Sequence, residues 1–128
     1  MPHALIIDDQ QSNIDALGVL LQREGVTYTT LLSPYHLDAV LGDLEAVDLV
    51  FLDLEFPNYD GFLLVDELRR YPALNAAPII AYTVHTSEIV RAQEAGFDGF
   101  IGKPLSVREF PEQLQQLLNG DPVWYLPD

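Results

Sequence analysis

The chain has 128 residues, no cysteine, and 20 acidic against 6 basic side chains, for a formal net charge of −14. This length predicts one domain with its own core, and the lack of cysteine excludes disulfides, thiolate zinc sites and a cysteine nucleophile. The acidic excess argues against nucleic-acid binding, because phosphate contacts need a surface rich in lysine and arginine. No apolar run approaches the roughly 20 residues of a membrane span, and residues 1–3 lack the basic start of a signal peptide. We therefore expect a cytoplasmic protein.

Short apolar runs alternate with segments of helical periodicity along the chain. The predicted strands, in order, are residues 4–7, 26–32, 49–52, 78–83 and 99–101. The predicted helices carry apolar side chains every three or four residues, at about 12–24, 37–44, 62–71, 87–95 and 110–118. Caps are expected at the first, third and fifth helices, from Ser12 with Asp15, from Asp60, and from Ser106 with Glu109.

Five successive βα units predict an α/β domain with a doubly wound, five-stranded parallel sheet of the flavodoxin-like type, in the strand order 2-1-3-4-5. Continuous apolar strands fit such a sheet, since helices cover both of its faces. An eight-stranded barrel would need about 250 residues. In a doubly wound sheet, ligands bind beyond the carboxyl ends of the strands, so the residues just after each apolar run are the candidates for chemistry.

Acidic, hydroxyl and amine side chains occupy these strand ends. They are Asp8 and Asp9 after the first strand, Asp53 and Glu55 after the third, Thr83 at the end of the fourth, and Lys103, the only lysine, after the fifth. Each of them alone is compatible with an ordinary turn or helix cap. Together they predict one pocket in which four carboxylates face one ammonium group.

Such a pocket favours a bound cation and phosphoryl chemistry. Two like charges 4 Å apart repel by about 4 kcal/mol at an effective dielectric near 20, so we expect at least one raised carboxylate pKa unless a cation binds. Open carboxylate oxygens suit Mg²⁺, with Mn²⁺ as an alternative. Bound Mg²⁺ would admit an anionic donor, and an aspartate oxygen can then attack phosphorus in line.

The chain resembles the receiver domain of two-component response regulators over roughly residues 4–120. The matching segments are Ile7-Asp8-Asp9-Gln10, the loop 52–61 in which Pro57 and Gly61 follow Asp53 at +4 and +8, the pair Tyr82-Thr83, and the segment 96–104 with Phe100 three residues before Lys103. The resemblance implies a phosphorylation-dependent signalling switch. We expect a receiver domain over residues 1–120 and a short C-terminal tail over 121–128 with no output domain.

The resemblance also implies roles for the acidic residues. Asp53 would be the phosphoacceptor. Asp9 and Asp53 would ligate Mg²⁺ by their side chains, Asp8 through a water molecule, and Glu55 through its backbone carbonyl.

For the other strand-end residues the resemblance implies a two-state switch. Lys103 would pair with Asp53 at rest and with the phosphoryl group afterwards. Thr83 would hydrogen-bond a phosphoryl oxygen, and Phe100 would turn into the space left by that movement. A new charge of about −1.5 to −2 would drive the change. The family passes the signal on through the face of the fourth helix, fifth strand and fifth helix.

Two residues depart from the family pattern. Glu55 adds a fourth carboxylate beside the expected phosphoryl group, and Val84 places a branched side chain where the family usually has alanine or glycine. With His85, they are candidates for setting the lifetime of the phosphoryl group, in a direction that the sequence leaves open. The alternative is that all three merely line the rim of the pocket.

The expected partners are a sensor histidine kinase or phosphotransfer protein, an unidentified downstream protein, and a second copy of the chain in a homodimer through the output face. We expect no catalysis beyond the chain's own phosphorylation and dephosphorylation. Two other functions stay open: a receiver-like interaction module with little phosphate turnover and, more remotely, a small phosphohydrolase with an aspartate nucleophile. The aromatic tail around Trp124 and Tyr125 would dock on the body or contact a partner.

Overall fold

Strands and helices alternate along the chain in a computed structural model that describes residues 1–35, 37–42, 44, 46–56 and 59–127. The strands are β1 His3–Ile7, β2 Thr27–Leu31, β3 Leu49–Asp53, β4 Ile79–Thr83, β5 Gly99–Gly102 and β6 Trp124–Tyr125. The helices are α1 Gln11–Arg23, α2 Leu37–Leu41, α3 Gly61–Arg69, α4 Ile89–Ala95 and α5 Phe110–Leu118. Shorter elements are the 3₁₀ turns Pro72–Leu74 and Thr86–Glu88, and a hairpin of Glu55–Phe56 with Tyr59–Asp60. Pro57 of the predicted phosphoacceptor loop lies outside the described residues.

Strands β1 to β6 form one parallel sheet in the order β2-β1-β3-β4-β5-β6. The parallel α/β architecture and the predicted order of the first five strands are confirmed. The predicted number of strands is wrong, because β6 adds a sixth strand beside β5. Strand β6 has only two residues, in the short stretch between Pro122 and Pro127, and is too short to show a strand pattern in the sequence.

The sheet separates two apolar cores, which explains the continuous apolar sequences of its strands. Along β1, Leu5 and Ile7 face one core, while Ala4 and Ile6 face the other. Helices α2, α3 and α4 close the first core, and α1 and α5 close the second. These four β1 side chains are fully buried, and burying a leucine or isoleucine contributes about 1.5–3 kcal/mol. The carboxyl ends of the strands are thereby held at fixed positions along one edge of the sheet.

The start of α1 differs from the prediction. The helix begins at Gln11 with no side-chain cap, so the capping box predicted from Ser12 and Asp15 is wrong. The chain turns into the helix earlier because the Asp8 carboxylate accepts a 2.9 Å hydrogen bond from the Gln10 N–H. The same acid that ends β1 therefore shapes the entry to α1.

The ends of the other helices follow the sequence signals more closely. The Asp60 carboxylate accepts a 2.9 Å hydrogen bond from the Phe62 N–H and caps α3 as predicted. Ser106 Oγ accepts a 3.1 Å hydrogen bond from the Glu109 N–H, just before α5 begins. Helix α4 ends at Ala95 and is followed by Gly96, whose φ of +96° favours glycine. Among the described residues, no helix combines the length and apolar character needed to span a membrane.

Candidate functional site

Three carboxylates meet beyond the carboxyl ends of β1 and β3. One oxygen from each of Asp8, Asp9 and Asp53 lies within 4.8 Å of the other two. The adjacency follows from the sheet, since β1 and β3 are paired neighbours with Ile7 opposite Leu52. Asp8 and Asp53 are buried, with exposures of 0% and 1%, and Asp9 is half-buried. We call this cluster the acidic pocket.

Lys103 supplies the positive charge of the acidic pocket. Its Nζ lies 3.7 Å from Asp8 Oδ2 and 3.9 Å from Asp53 Oδ1, and only 12% of its side chain is exposed. Its backbone is fixed beside β4, because the Lys103 N–H donates a 2.8 Å hydrogen bond to the Thr83 carbonyl. Lys103 is therefore shared between two carboxylates and is not paired with Asp53 alone.

Burial shifts the proton affinity of Asp53. Its pKa is raised from 3.8 to about 7, first by burial and then by the neighbouring Asp8, while Lys103 and the Glu55 N–H act in the opposite direction. The sequence predicted a raised carboxylate pKa from mutual repulsion. Repulsion contributes here, but loss of hydration is the larger cause.

Tyr82 is a member of the site that the sequence analysis did not single out. Its hydroxyl donates a 2.5 Å hydrogen bond to Asp8 Oδ2, while the Gln10 N–H donates to Asp8 Oδ1. Lys103 Nζ lies 4.3 Å from the centroid of the Tyr82 ring, in a cation–π contact. Burial, followed by the contact with Asp8, raises the pKa of the Tyr82 hydroxyl. A tyrosine in an apolar strand was the available signal, since a buried phenol needs a hydrogen-bond partner.

The Glu55 carboxylate lies with Thr83 and His85. Thr83 Oγ1 donates a 3.1 Å hydrogen bond to Glu55 Oε1, and His85 Nε2 lies 3.0 Å from the same oxygen. The His85 N–H donates to Thr83 Oγ1 at 3.1 Å, so the Thr83 hydroxyl is engaged on both sides. Among the described residues, the carboxylates close enough to share a metal ion are those of Asp8, Asp9 and Asp53. The expected convergence of four carboxylates is therefore reduced to three.

The last two predicted residues, Phe100 and Val84, differ in how far they are buried. Phe100 is fully buried in the core closed by α2, α3 and α4. Val84 is 56% exposed and lines a groove of about 630 Å³ between α1 and the chain after β5, together with Tyr82 and Lys103. The Val84 side chain is thus placed beside the acidic pocket on the α1 side.

The donor set of the acidic pocket fits Mg²⁺. Both oxygens of Asp8 already accept hydrogen bonds, but Asp9 Oδ1 is buried and has no hydrogen-bond partner among the described residues. A buried carboxylate oxygen without a partner is costly, and a hard cation removes that cost. Carboxylate oxygens with room for water are the ligands that Mg²⁺ prefers.

Comparison with known proteins agrees with this geometry. A sequence model of the response regulator receiver domain matches residues 4–115. Response regulator SaeR of Staphylococcus aureus (strain USA300) is 31% identical over 120 residues, which cover 92% of this chain and 51% of SaeR. The chain thus spans about half the length of the curated relatives that it matches.

Solved structures share the fold. Response regulator protein TrrA from Thermotoga maritima, in complex with Mg²⁺-BeF, is 25% identical with a TM-score of 0.77, over 91% of this chain and 99% of that chain. Chemotaxis protein CheY4 of Vibrio cholerae is 23% identical with a TM-score of 0.79, over 91% of this chain and 98% of that chain. With the matched domain covering most of the sequence, the chain belongs to the response regulator receiver domain family.

Proposed function

We propose that this chain is a phosphorylation-dependent signalling switch that accepts a phosphoryl group on Asp53. The observation that carries the proposal is the position of Asp53, buried at the carboxyl end of a central strand with Asp8, Asp9 and the only lysine of the chain around it. A carboxylate oxygen so placed can attack phosphorus, and the surrounding charges can stabilise the transferring group. Membership of the receiver family supports this assignment.

Mg²⁺ is the proposed cofactor, with Mn²⁺ as an alternative. The side chains of Asp9 and Asp53 would hold it directly, Asp8 through a water molecule, and Glu55 by its backbone carbonyl. Bound Mg²⁺ supplies positive charge that neutralises the phosphoryl oxygens. The unpartnered Asp9 Oδ1 and the complex of the related TrrA with Mg²⁺-BeF support this assignment.

The protein residues would act in a definite order. Asp53 must lose its proton to become a nucleophile, and Lys103 favours that loss because it stabilises the carboxylate. The Asp53 oxygen then forms a bond to phosphorus while the bond between phosphorus and the leaving atom of the donor breaks, and that atom departs with its electron pair. Lys103 turns to the new phosphoryl oxygens, which carry about 1.5 to 2 negative charges.

Thr83 would transmit the effect of the new phosphoryl charge to the rest of the domain. Its hydroxyl now donates to Glu55, so bonding to a phosphoryl oxygen requires an exchange of acceptor. Glu55, Val84 and His85 stand beside this exchange and are our candidates for setting the phosphoryl lifetime. We propose that the change, including Phe100, reaches a downstream protein through the face formed by α4, β5 and α5.

The proposed donor is a sensor histidine kinase or a phosphotransfer protein. The chain would catalyse only its own phosphorylation and dephosphorylation. A second candidate function is an interaction module with little phosphate turnover. It is favoured by the hydrogen bond that the Thr83 hydroxyl already donates to the Glu55 carboxylate. Partner binding that is indifferent to Asp53→Asn would favour this second function.

The direct test is intact-mass spectrometry after incubation with Mg²⁺ and acetyl phosphate. We expect one added phosphoryl group in the wild type and none in Asp53→Asn. Asp66→Asn removes an exposed carboxylate from α3 and should leave the addition unchanged. An unchanged wild-type mass with acetyl phosphate, carbamoyl phosphate and phosphoramidate would contradict the proposal.

A further inference from the structure

The sheet edge beside β5 is occupied by a segment of the same chain, residues 121–127, which we call the edge segment. Within it, Trp124 lies opposite Phe100 and Tyr125 opposite Ile101, in parallel register. The Phe100 N–H donates a 2.7 Å hydrogen bond to the Val123 carbonyl. Trp124 packs against one core and Tyr125 against the other, as successive residues of a strand do. The edge segment fills the position that a strand from a partner would take.

The glycines at the two ends of β5 make room for the edge segment. A Cβ at Gly99 would lie 2.7 Å from the Val123 carbonyl oxygen, and a Cβ at Gly102 would lie 2.6 Å from Pro127 Cδ. Both distances are shorter than real Cβ contacts, so a side chain at either position would force the edge segment to move. The edge segment can lie this close to β5 because both positions are glycine.

One of these glycines also joins the edge segment to the acidic pocket. A Cβ at Gly102 would lie 2.8 Å from Thr86 Cγ2, in the loop that follows Thr83. Gly102 is directly followed by Lys103, whose N–H is hydrogen-bonded to the Thr83 carbonyl. Pro127, the Thr83 loop and the Lys103 backbone therefore meet around one residue.

We propose that the edge segment is releasable, held on β5 while Asp53 is free and loosened when Asp53 is phosphorylated. This inference rests on the proposed function. A phosphoryl group that attracts Thr83 and Lys103 displaces the chain segments that pack around Gly102. Because close-packed contacts are satisfied in one arrangement, such a displacement removes contacts from Pro127. The ladder is only two residues long, so the edge segment depends on its side-chain packing, and losing the Pro127 contacts weakens its hold on β5.

Release would uncover the β5 edge within the proposed output face. While it is held, the edge segment prevents a second copy of the chain from pairing edge to edge with β5. Phosphorylation would then control access to an existing strand edge. In this scheme the edge segment competes with a second copy of the chain for the β5 edge.

The full chain carries two reporters of this release. Trp124 is the only tryptophan, and the Phe100 amide is bonded directly to the edge segment. Protein samples that contain Mg²⁺ alone are compared with samples that contain Mg²⁺ and acetyl phosphate. The intact mass gives the phosphorylated fraction of each sample. We expect phosphorylation to shift Trp124 emission to longer wavelength and to accelerate hydrogen exchange of the Phe100 amide by about tenfold or more. Asp53→Asn treated in the same way should show neither change.

Two variants test the contacts without phosphorylation. Gly102→Ala adds a Cβ against Pro127, and Pro127→Gly removes the ring without adding any atoms elsewhere. We expect fast Phe100 exchange in both variants with no phosphodonor. The Val50 amide, bonded to the Pro78 carbonyl at 2.9 Å in the interior of the sheet, should stay protected and serves as the control for global unfolding.

The outcomes separate the two proposals. Phosphorylated protein with unchanged Trp124 emission and unchanged Phe100 exchange overturns the releasable edge segment and leaves the phosphorylation site intact. Absence of any mass increase overturns the proposed function. A Phe100 amide that stays protected in both Gly102→Ala and Pro127→Gly overturns the argument that these contacts hold the edge segment.

Discussion

Replacing Asp53 by asparagine tests what the buried Asp53 carboxylate costs the stability of the fold. Burial raises the Asp53 pKa from 3.8 to about 7 in the folded protein, against the attraction of Lys103. Between these pH values the folded protein binds a proton that the unfolded chain releases, so its stability falls as the pH rises. The stability that is fully present below about pH 3.8 is lost once the pH has passed about 7.

The size of this loss follows from the same two values. A pKa change from 3.8 to about 7 corresponds to at most about 4 kcal/mol in the free energy of unfolding, since each factor of ten in proton affinity is worth about 1.4 kcal/mol. Asparagine has nearly the shape of aspartate and no ionisable proton. The stability advantage of Asp53→Asn over the metal-free wild type should therefore be small near pH 4 and should grow by about 2–4 kcal/mol as the pH rises to about 8.

The assay is urea unfolding followed by circular dichroism, with a chelator present, at several pH values across that interval. Asp66→Asn removes an exposed carboxylate from α3 and gives the background for losing one negative charge. A difference in unfolding free energy between wild type and Asp53→Asn that stays constant from about pH 4 to about pH 8 would refute the reasoning.

Three further predictions concern the neighbours of Asp53. Saturating Mg²⁺ at neutral pH should stabilise the wild type by about 2.7 kcal/mol at a hundred times its dissociation constant, and differential scanning calorimetry should show no such gain for Asp9→Ala. Tyr82→Phe removes the hydroxyl bonded to Asp8 and should lower the unfolding free energy by about 1.5–3 kcal/mol, while a smaller loss in urea unfolding would mean that water replaces the hydroxyl. Glu55→Gln keeps an oxygen for Thr83 but removes a negative charge, so phosphorylation by acetyl phosphate should be faster. A mass time course as slow as that of the wild type would show that the Glu55 charge does not oppose the donor.

The central part of the site could be predicted from the sequence because it depends on strand ends. The apolar runs that carry the site stop at a polar residue or shortly before one, and a parallel sheet brings the carboxyl ends of neighbouring strands together. This rule places Asp8, Asp9, Asp53 and Lys103 in one pocket without knowledge of any side-chain conformation. The register in which β1 pairs with β3 then brings Asp8, Asp9 and Asp53 together.

Features that depend on where a side chain points could not be predicted in this way. Spacing placed Glu55 near the acidic pocket, but the hydrogen bond from Thr83 and the contact with His85 hold its carboxylate apart from the other three. The sequence indicates no separate role for Tyr82 within the predicted strand 78–83, although its hydroxyl donates to Asp8. Such choices are decided by packing and by the competition among hydrogen-bond partners.

Strand β6 was missed for a different reason. Two residues carry no periodicity, and their pairing depends on an edge that exists only after the first five strands have assembled. The alternation of Trp124 and Tyr125 between the two cores becomes meaningful only when that edge is in place. Local pattern therefore recognises the five long units and not the short strand that completes them.

The glycines that flank the interior of β5 also limit how the sequence of this chain can diverge. Gly99 and Gly102 have no room for a methyl group while Val123 and Pro127 lie against them. A methyl group at either position would force Val123, Pro127 or their neighbours to shift. In this chain, the two glycines of β5 and the residues that follow α5 therefore have to change together.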